Sequence, residues 1–290
     1  MGFKLRKNAD RKIQKEYLVH LIICSIIFSI YAFSLLYPII WIFVKSFQNP
    51  VEFVFDAERF FPSTIYFGNY TRMVKEFDFV PMITNTIILS LITPTVQIAA
   101  CCSISYAFAK FRFKGRMIVY FIAIASMFIP SVGTLAATYE LMMGLKLMDS
   151  LIGYVILCGS GMGFSFLLVS AQYENVSREY SESAEMDGAS RFRIFAQIVT
   201  PLILPTITTL WLLSFIGCWN DYQMPYLFLP SHHTLSVGIK QLQFIATQSG
   251  GTDYPVLFAG IIMVELPILI IFFTFQKKIL TFSTGGGIKG

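Results

Sequence analysis

The chain has 290 residues, 55% of them hydrophobic, 16% aromatic and only 13% charged, with a formal net charge of +5. The charged share is about half the ~25% of soluble domains, which excludes a soluble globular protein and points to an integral membrane protein without a separate soluble domain. Five cysteines (Cys24, Cys101, Cys102, Cys158, Cys218) all fall in apolar runs without a C-x-x-C pair, and the three histidines gather no acids around them, so neither a disulfide framework nor a metal or catalytic centre is expected.

Residues 1–20 form a basic tail carrying Lys4, Arg6, Lys7, Arg11, Lys12 and Lys15. A secretory signal is the rival reading of this end. The uncharged run Leu21–Val44 that follows is too long for such a signal and lacks its cleavage site. At 1.5 Å per residue it reaches about 36 Å, enough to cross a ~30 Å hydrocarbon layer. Five further apolar windows follow, and the predicted spans are 21–44, 80–109, 117–139, 150–173, 202–225 and 254–276. With the N-terminus inside, sixteen of the 22 Lys and Arg lie on cytoplasmic pieces and six on outer ones. The positive-inside rule selects that orientation, with both termini cytoplasmic. The outer loops 45–78 and 226–253 are too small to be domains. The first is rich in aromatic residues that suit a membrane interface. The expected fold is a single all-α membrane domain of six transmembrane helices over residues 1–290, ending in a cytoplasmic tail, 277–290.

Ser177–Pro205 is the longest charged island between two apolar runs. Ser177 is a candidate N-cap, with Glu179 in the first turn, where a carboxylate suits the helix dipole. The helix is predicted to run to about Asp187, with Gly188 as a left-handed stop. Ser190 caps a second helix whose apolar residues Phe192, Phe195, Ala196 and Val199 recur at helical spacing. Pro201 and Pro205 punctuate the entry to the next span. The pattern predicts a helix–Gly–helix hairpin over 177–201, facing the cytoplasm. Taken by itself, such a hairpin is either an ordinary amphipathic surface segment or a rigid knob for another protein to grip.

Glu182-Ser183-Ala184, Gly188, Ile198 and Pro201 resemble the E-A-A–x3–G–x9–I–x–L–P loop of ABC importer permeases. Asp187-Gly188-Ala189-Ser190 resembles its carbohydrate-importer form. Ser183 stands where the family has Ala, and Thr200 where it has Leu. Further resemblances lie at Asn85-Thr86, at Ser105–Arg116, at Ile129-Pro130, at Leu147–Ser150 and at Phe215–Asp221. The ending Gly286-Gly287-Ile288-Lys289-Gly290 is similar to the tail that reaches the ATPase, although Phe282 departs from the family's usual Gly. The chain therefore resembles the six-span subunit of a maltose-type carbohydrate importer in a bacterial cell membrane. The resemblance implies a second permease subunit, two copies of a cytoplasmic ATPase, an extracellular or periplasmic solute-binding protein and a sugar substrate, with no nucleic acid involved.

The same resemblance implies that Glu182, Ser183, Ala184, Asp187, Gly188, Ala189 and Arg191 couple to the ATPase, and that Gly286, Gly287, Lys289 and Gly290 touch it. Glu182 has a second reading, as a cap of its own helix. Trp219, Asn220 and Asp221 suit a sugar path, because sugars are recognised by aromatic faces and hydrogen-bonding groups together. They equally suit an interface anchor followed by a helix cap. Glu265 sits mid-way along the last span, where a charge costs on the order of 3 kcal/mol. Its readings are a contact with the sister subunit, a path-lining residue or a proton relay. Pro267 close by leaves a carbonyl one turn earlier in need of a donor. No nucleophile–base pair or metal-ligand set appears, so no catalytic residue is expected. The chain has no G-x-x-x-x-G-K-[ST] loop either, so ATP and its magnesium must be bound by another polypeptide and no cofactor is expected here. A stand-alone carrier using Glu265 and Asp221 is the alternative, but such a carrier has no need of the hairpin or the tail.

Overall fold

The computed structural model describes residues 2–285 apart from 57, 130 and 161, and side chains between 17 and 274 apart from 19, 57, 130–132, 161 and 272. All regular secondary structure among the described residues is helical, without a strand. In chain order the helices are α1 (Gly2–Lys45), α2 (Pro50–Phe55), α3 (Gly68–Glu76), α4 (Phe79–Lys110), α5 (Arg116–Phe128), α6 (Ser131–Gly144), α7 (Leu151–Cys158) and α8 (Phe164–Asn175). There follow α9 (Glu179–Met186), α10 (Arg191–Arg193), a π-helical segment (Ile194–Val199), α11 (Thr200–Leu202), α12 (Leu204–Asn220), α13 (Gln223–Phe228), α14 (Leu235–Gln248) and α15 (Tyr254–Gly285).

Three stretches are single helices long and apolar enough to cross a membrane: His20–Lys45, Phe79–Lys110 and Tyr254–Ile271. Two more are bent pairs, Arg116–Phe128 with Gly133–Gly144 at 112° and Arg191–Leu202 with Leu204–Asn220 at 81°. The first bend follows Ile129, which is extended (φ −80, ψ 116). A residue before proline is pushed out of the α region, and Pro130 comes next in the sequence. The predicted window 150–173 is two shorter helices, α7 and α8. The chain between them is glycine-rich, and Gly163 takes φ +88, a conformation that costs a side-chain-bearing residue dearly.

The chain divides into two compact units, Met1–Met73 with Ile245–Ile262, and Val74–Phe244 with Met263–Gly290. In the first, the Lys45 side chain is buried. Its Nζ donates to Gln48 Oε1 (2.9 Å) and to the Arg59 carbonyl (2.5 Å). The rings of Trp41 and Phe53 lie 5.8 and 5.7 Å from it. A buried ammonium persists only when such partners replace its water. Asn69 ties the same corner by donating to the carbonyls of Ser46 (2.8 Å) and Gln48 (2.9 Å).

In the second unit α4 is the spine, packed along α8 and α12. One apolar cluster runs from Ile98, Cys101 and Cys102 through Phe166 and Val169 to Ala184, Ile194 and Val199. Cys101 and Cys102 therefore sit as small hydrophobes in the core, as expected, whereas Cys158 and Cys218 are half-buried and Cys24 is exposed. At the opposite end of α4, Asn85 Nδ2 donates to the His233 carbonyl (3.0 Å), and the Leu235 amide donates to Thr86 Oγ1 (2.8 Å). Asp149 accepts from the Ser231 amide (2.9 Å) and lies 3.3 Å from His232 Nδ1. These groups, the Ser231 amide foremost, hold the Asp149 carboxyl below its usual pKa. Two of the three histidines, His232 and His233, thus belong to loop packing; the same unit also holds a break in regular α-helix at residues 187–203.

Candidate functional site: the hairpin between α9 and α12

Ser177 accepts the Glu179 amide on its hydroxyl at 3.3 Å, and Glu179 and Glu182 occupy the first turn of α9. The stop is a complete Schellman turn. Gly188 is left-handed at φ +77, its amide donates to the Glu185 carbonyl (3.0 Å), and the Ala189 amide donates to the Ala184 carbonyl (2.9 Å). A Cβ built on Gly188 meets nothing within 4 Å, so glycine is demanded here by its torsion rather than by crowding. Ser190 then caps the second arm, accepting the Arg193 amide at 3.3 Å.

The second arm differs from the predicted α-helix. After Arg193 the chain winds as a π-helix over Ile194–Val199, and the Thr200 amide reaches back five residues to the Phe195 carbonyl. Pro201 has no N–H with which to continue α bonding. The buried residues are therefore Ile194 and Val199, five apart, rather than the expected face through Phe192, Phe195, Ala196 and Val199. Phe192 is 75% exposed and Phe195 half-buried. A π turn inside an α-helix is uncommon and concentrates at functional positions.

The hairpin is held to the ends of α4 and α8 by aromatic contacts that no local sequence pattern pairs. Tyr106 on α4 meets Phe195 (4.9 Å between centroids), Tyr173 of α8 (5.5 Å) and Phe111 (6.1 Å). The Tyr173 hydroxyl is hydrogen-bonded to Thr200 Oγ1 at 2.8 Å. Lys110 Nζ donates to the Val176 carbonyl at 2.7 Å, so the last residue of α4 grips the segment leading into α9. The Arg191 guanidinium lies 5.9 Å from the Phe111 ring. Tyr106, Tyr173 and the 195–200 segment are far apart in the chain, and no local spacing connects them.

Of the predicted coupling residues, Ala184 is buried against the core and Ala189 half-buried. Glu182, Ser183, Asp187, Gly188 and Arg191 are exposed together. Glu182 and Arg191 share the rim of a cavity of about 210 Å³ with Lys110, Arg178 and Glu185. Met186 at the tip is 89% exposed. The hairpin thus presents a tip with two bare apolar side chains, Met186 and Phe192, on a base fixed into the core. The tail residues Gly286, Gly287, Lys289 and Gly290 lie outside the described residues.

The other candidates are dispersed. Trp219 is buried and donates Nε1 to the Val264 carbonyl (3.3 Å), next to the carbonyl of Met263 that Pro267 leaves without its helical donor. Asn220 is exposed and donates to the Ile216 carbonyl of its own helix. Asp221 accepts the amides of Gln223 (2.9 Å) and Met224 (3.2 Å), which caps α13. Glu265 is exposed on α15. A metal cluster of three or more ligating side chains is absent among the described residues.

Fold and site define a helical membrane protein that carries a rigid surface hairpin. Residues 99–280 match the family described as the binding-protein-dependent transport system inner membrane component, and the chain belongs to that family. It is similar to the maltodextrin transport system permease protein MdxG of Bacillus subtilis (27% identity over 92% of this chain and 96% of the relative). It is also similar to the arabinooligosaccharides transport system permease protein AraQ of the same organism (28%, 95% and 98%). Among solved structures, a chain of a bacterial ABC transporter involved in the import of the acidic polysaccharide alginate superposes with a TM-score of 0.78. It is 26% identical and covers 89% of this chain and 96% of its own length.

The Tyr173–Thr200 bond is the polar tie between α8 and the second arm, so Tyr173→Phe should cost about 1 kcal/mol locally. Hydrogen exchange across 190–202 is expected to speed up while the purified protein keeps its helix content. Unchanged exchange would show that the tie carries no stability.

Proposed function

We propose that this chain is the membrane-spanning subunit of an ATP-driven importer for a sugar or oligosaccharide, forming half of the translocation path and coupled to ATPase subunits through the hairpin of residues 177–201. It works with a second permease subunit, two copies of a cytoplasmic ATPase and an extracellular or periplasmic solute-binding protein. Six spans, with both termini in the cytoplasm of a bacterium, put the hairpin and the tail 277–290 on the ATPase side. The window 150–173 then crosses as the broken pair α7 and α8. The charge asymmetry of the sequence and the family membership support this orientation.

The observation that carries the reading is mechanical. The hairpin has Ala184 and Ile194 in the core of the spans and Met186 and Phe192 bare at the surface. A push on the tip is therefore delivered to α4, α8 and α12 rather than absorbed by a loop. Glu182, Ser183, Asp187, Gly188, Ala189 and Arg191 form the grip, with Ala184 its buried footing, and Gly286, Gly287, Lys289 and Gly290 add a second contact. Permease subunits of this family are not enzymes. ATP and magnesium belong to the partner, and the role of this chain is to convert closure of the ATPase pair into opening of a path. Asn220, with Trp219 and Asp221 as its frame, is the element of the expected path site that turns an exposed group outward. Glu265, exposed at mid-span, is assigned to the contact with the sister subunit, where a polar partner offsets the cost of its charge.

Orientation is tested by labelling. A cysteine at Arg191 should react only from the cytoplasmic side and one at Ser249 only from outside; reaction of both from one face would overturn the six-span arrangement. Coupling is tested at Gly188. Valine there must adopt the left-handed torsion at a cost of about 1–2 kcal/mol, or unwind the turn and swing the second arm. Gly188→Val should therefore leave the protein inserted while abolishing sugar uptake, with ATPase either lost on purification or hydrolysing without transport. Gln197→Ala, whose exposed side chain accepts a hydrogen bond from Arg193 Nε (3.2 Å), should transport normally. Coupled uptake by the Gly188→Val complex would contradict the assignment.

A further inference from the structure

A second cavity, of about 490 Å³, lies apart from the hairpin, between the end of α4, the start of α5 and the last turns of α8. Its wall is apolar for most of its extent: Phe108, Met117, Tyr120 and Leu167. Phe108 and Tyr120 stack across it, 6.1 Å between centroids and 17° from parallel. At its mouth stands Arg116, paired with Glu174 and resting 4.4 Å above the Phe108 ring. A guanidinium fork has five N–H groups, so this pair leaves it with further donors. One turn deeper, about 6 Å along α8 from Glu174, the Ser170 side chain also lines the cavity. Ser170 is only 4% exposed, and its hydroxyl has no hydrogen-bond partner among the described residues. A helical serine ordinarily settles such a hydroxyl on its own backbone, and an orphaned one costs free energy.

Cation at the mouth, unpaired hydroxyl one turn deeper, and apolar wall form a graded sequence. It continues outward along α5, where Met117 and Phe121, four residues apart on one face, are 76% and 70% exposed. Lys110, Arg112 and Lys114 add positive charge just before Arg116. We infer that this cavity binds an anionic phospholipid of the cytoplasmic leaflet. Its phosphate lies against Arg116, a glycerol or ester oxygen meets the Ser170 hydroxyl, and an acyl chain runs along Met117 and Phe121. Charge complementarity selects the occupant: basic pockets between spans on the cytoplasmic side suit acidic headgroups, and a zwitterionic lipid would gain less from the basic run. A lipid here would brace the α4–α5 turn against α8, beside the Lys110 grip on the hairpin. The inference rests on the orientation proposed above, which the labelling experiment tests independently.

The test uses the assembled transporter, exchanged into phosphatidylcholine bilayers containing a minority of phosphatidylglycerol and then washed in mild detergent. Retained lipid is counted by native mass spectrometry. Wild-type complex should keep phosphatidylglycerol in preference to phosphatidylcholine. Arg116→Gln should lower that retention about fivefold, the effect of one cation at an acidic headgroup. Arg116→Lys should keep most of it, and its retention by a normally assembled complex separates lost charge from lost fold. Equal retention of the two lipids, or no change in Arg116→Gln, would overturn the assignment. Displacement of the lipid by millimolar inorganic phosphate would assign the mouth to a free anion instead. Efficient disulfide cross-linking of Met117→Cys to the sister permease would show that protein rather than lipid covers this face.

Discussion

The left-handed turn at Gly188 sets the geometry on which the rest of the molecule's outward face depends. Two backbone hydrogen bonds close it, from Gly188 to Glu185 and from Ala189 to Ala184. They fix the angle at which the second arm leaves the first. Because Ala184, which accepts one of those bonds, is itself packed in the core, the turn is anchored on its inner side while Met186 stays bare on its outer side. A linker of equal length with ordinary flexibility would place the same residues at the surface but could not carry a displacement.

Stiffness at the turn is useful only if the second arm is also bound. That is achieved by contacts among residues distant in sequence. The Tyr106 ring touches Phe195 and Tyr173, and the Tyr173 hydroxyl meets Thr200. The π winding of Ile194–Val199 aligns two apolar side chains inward at a spacing no α-helix would give them. The 81° bend beyond Leu202 then redirects the chain into α12, which lies along α4. Tip, arm and span are thus one continuous packed path, the form a mechanical coupling between two proteins requires.

Much of this was legible in the sequence where the chemistry is local. Ser190 as a cap, Gly188 as the stop and the apolar windows of α1, α4 and α15 follow from single residues and their near neighbours. What was not legible depends on tertiary context. The π segment replaced the predicted α face because Pro201 withholds a donor while Ile194 and Val199 gain burial, and only the folded core reveals that second fact. The window 150–173 looked like one span by hydropathy, yet its glycines break it into two helices. That Lys45 is buried among Gln48, Arg59, Trp41 and Phe53 has no signal in the sequence, because those partners are brought to it only by the fold. Trp219 and Asp221 have two readings each; the structure shows Asp221 capping α13 and Trp219 buried against Val264, contacts that depend on the fold rather than on local spacing.

The central claim is that the hairpin tip is the surface through which an ATPase drives this chain. It is tested most directly by placing a photoreactive amino acid at Met186, or in a separate variant at Phe192, and irradiating the assembled transporter in membranes. The account predicts efficient cross-linking to the ATPase subunit from both positions, with yields that change when ATP hydrolysis is blocked. It also predicts negligible cross-linking from a position on the opposite end of the same spans, such as Ser231. Assembled, transport-competent complexes in which Met186 and Phe192 both fail to reach the ATPase would contradict it.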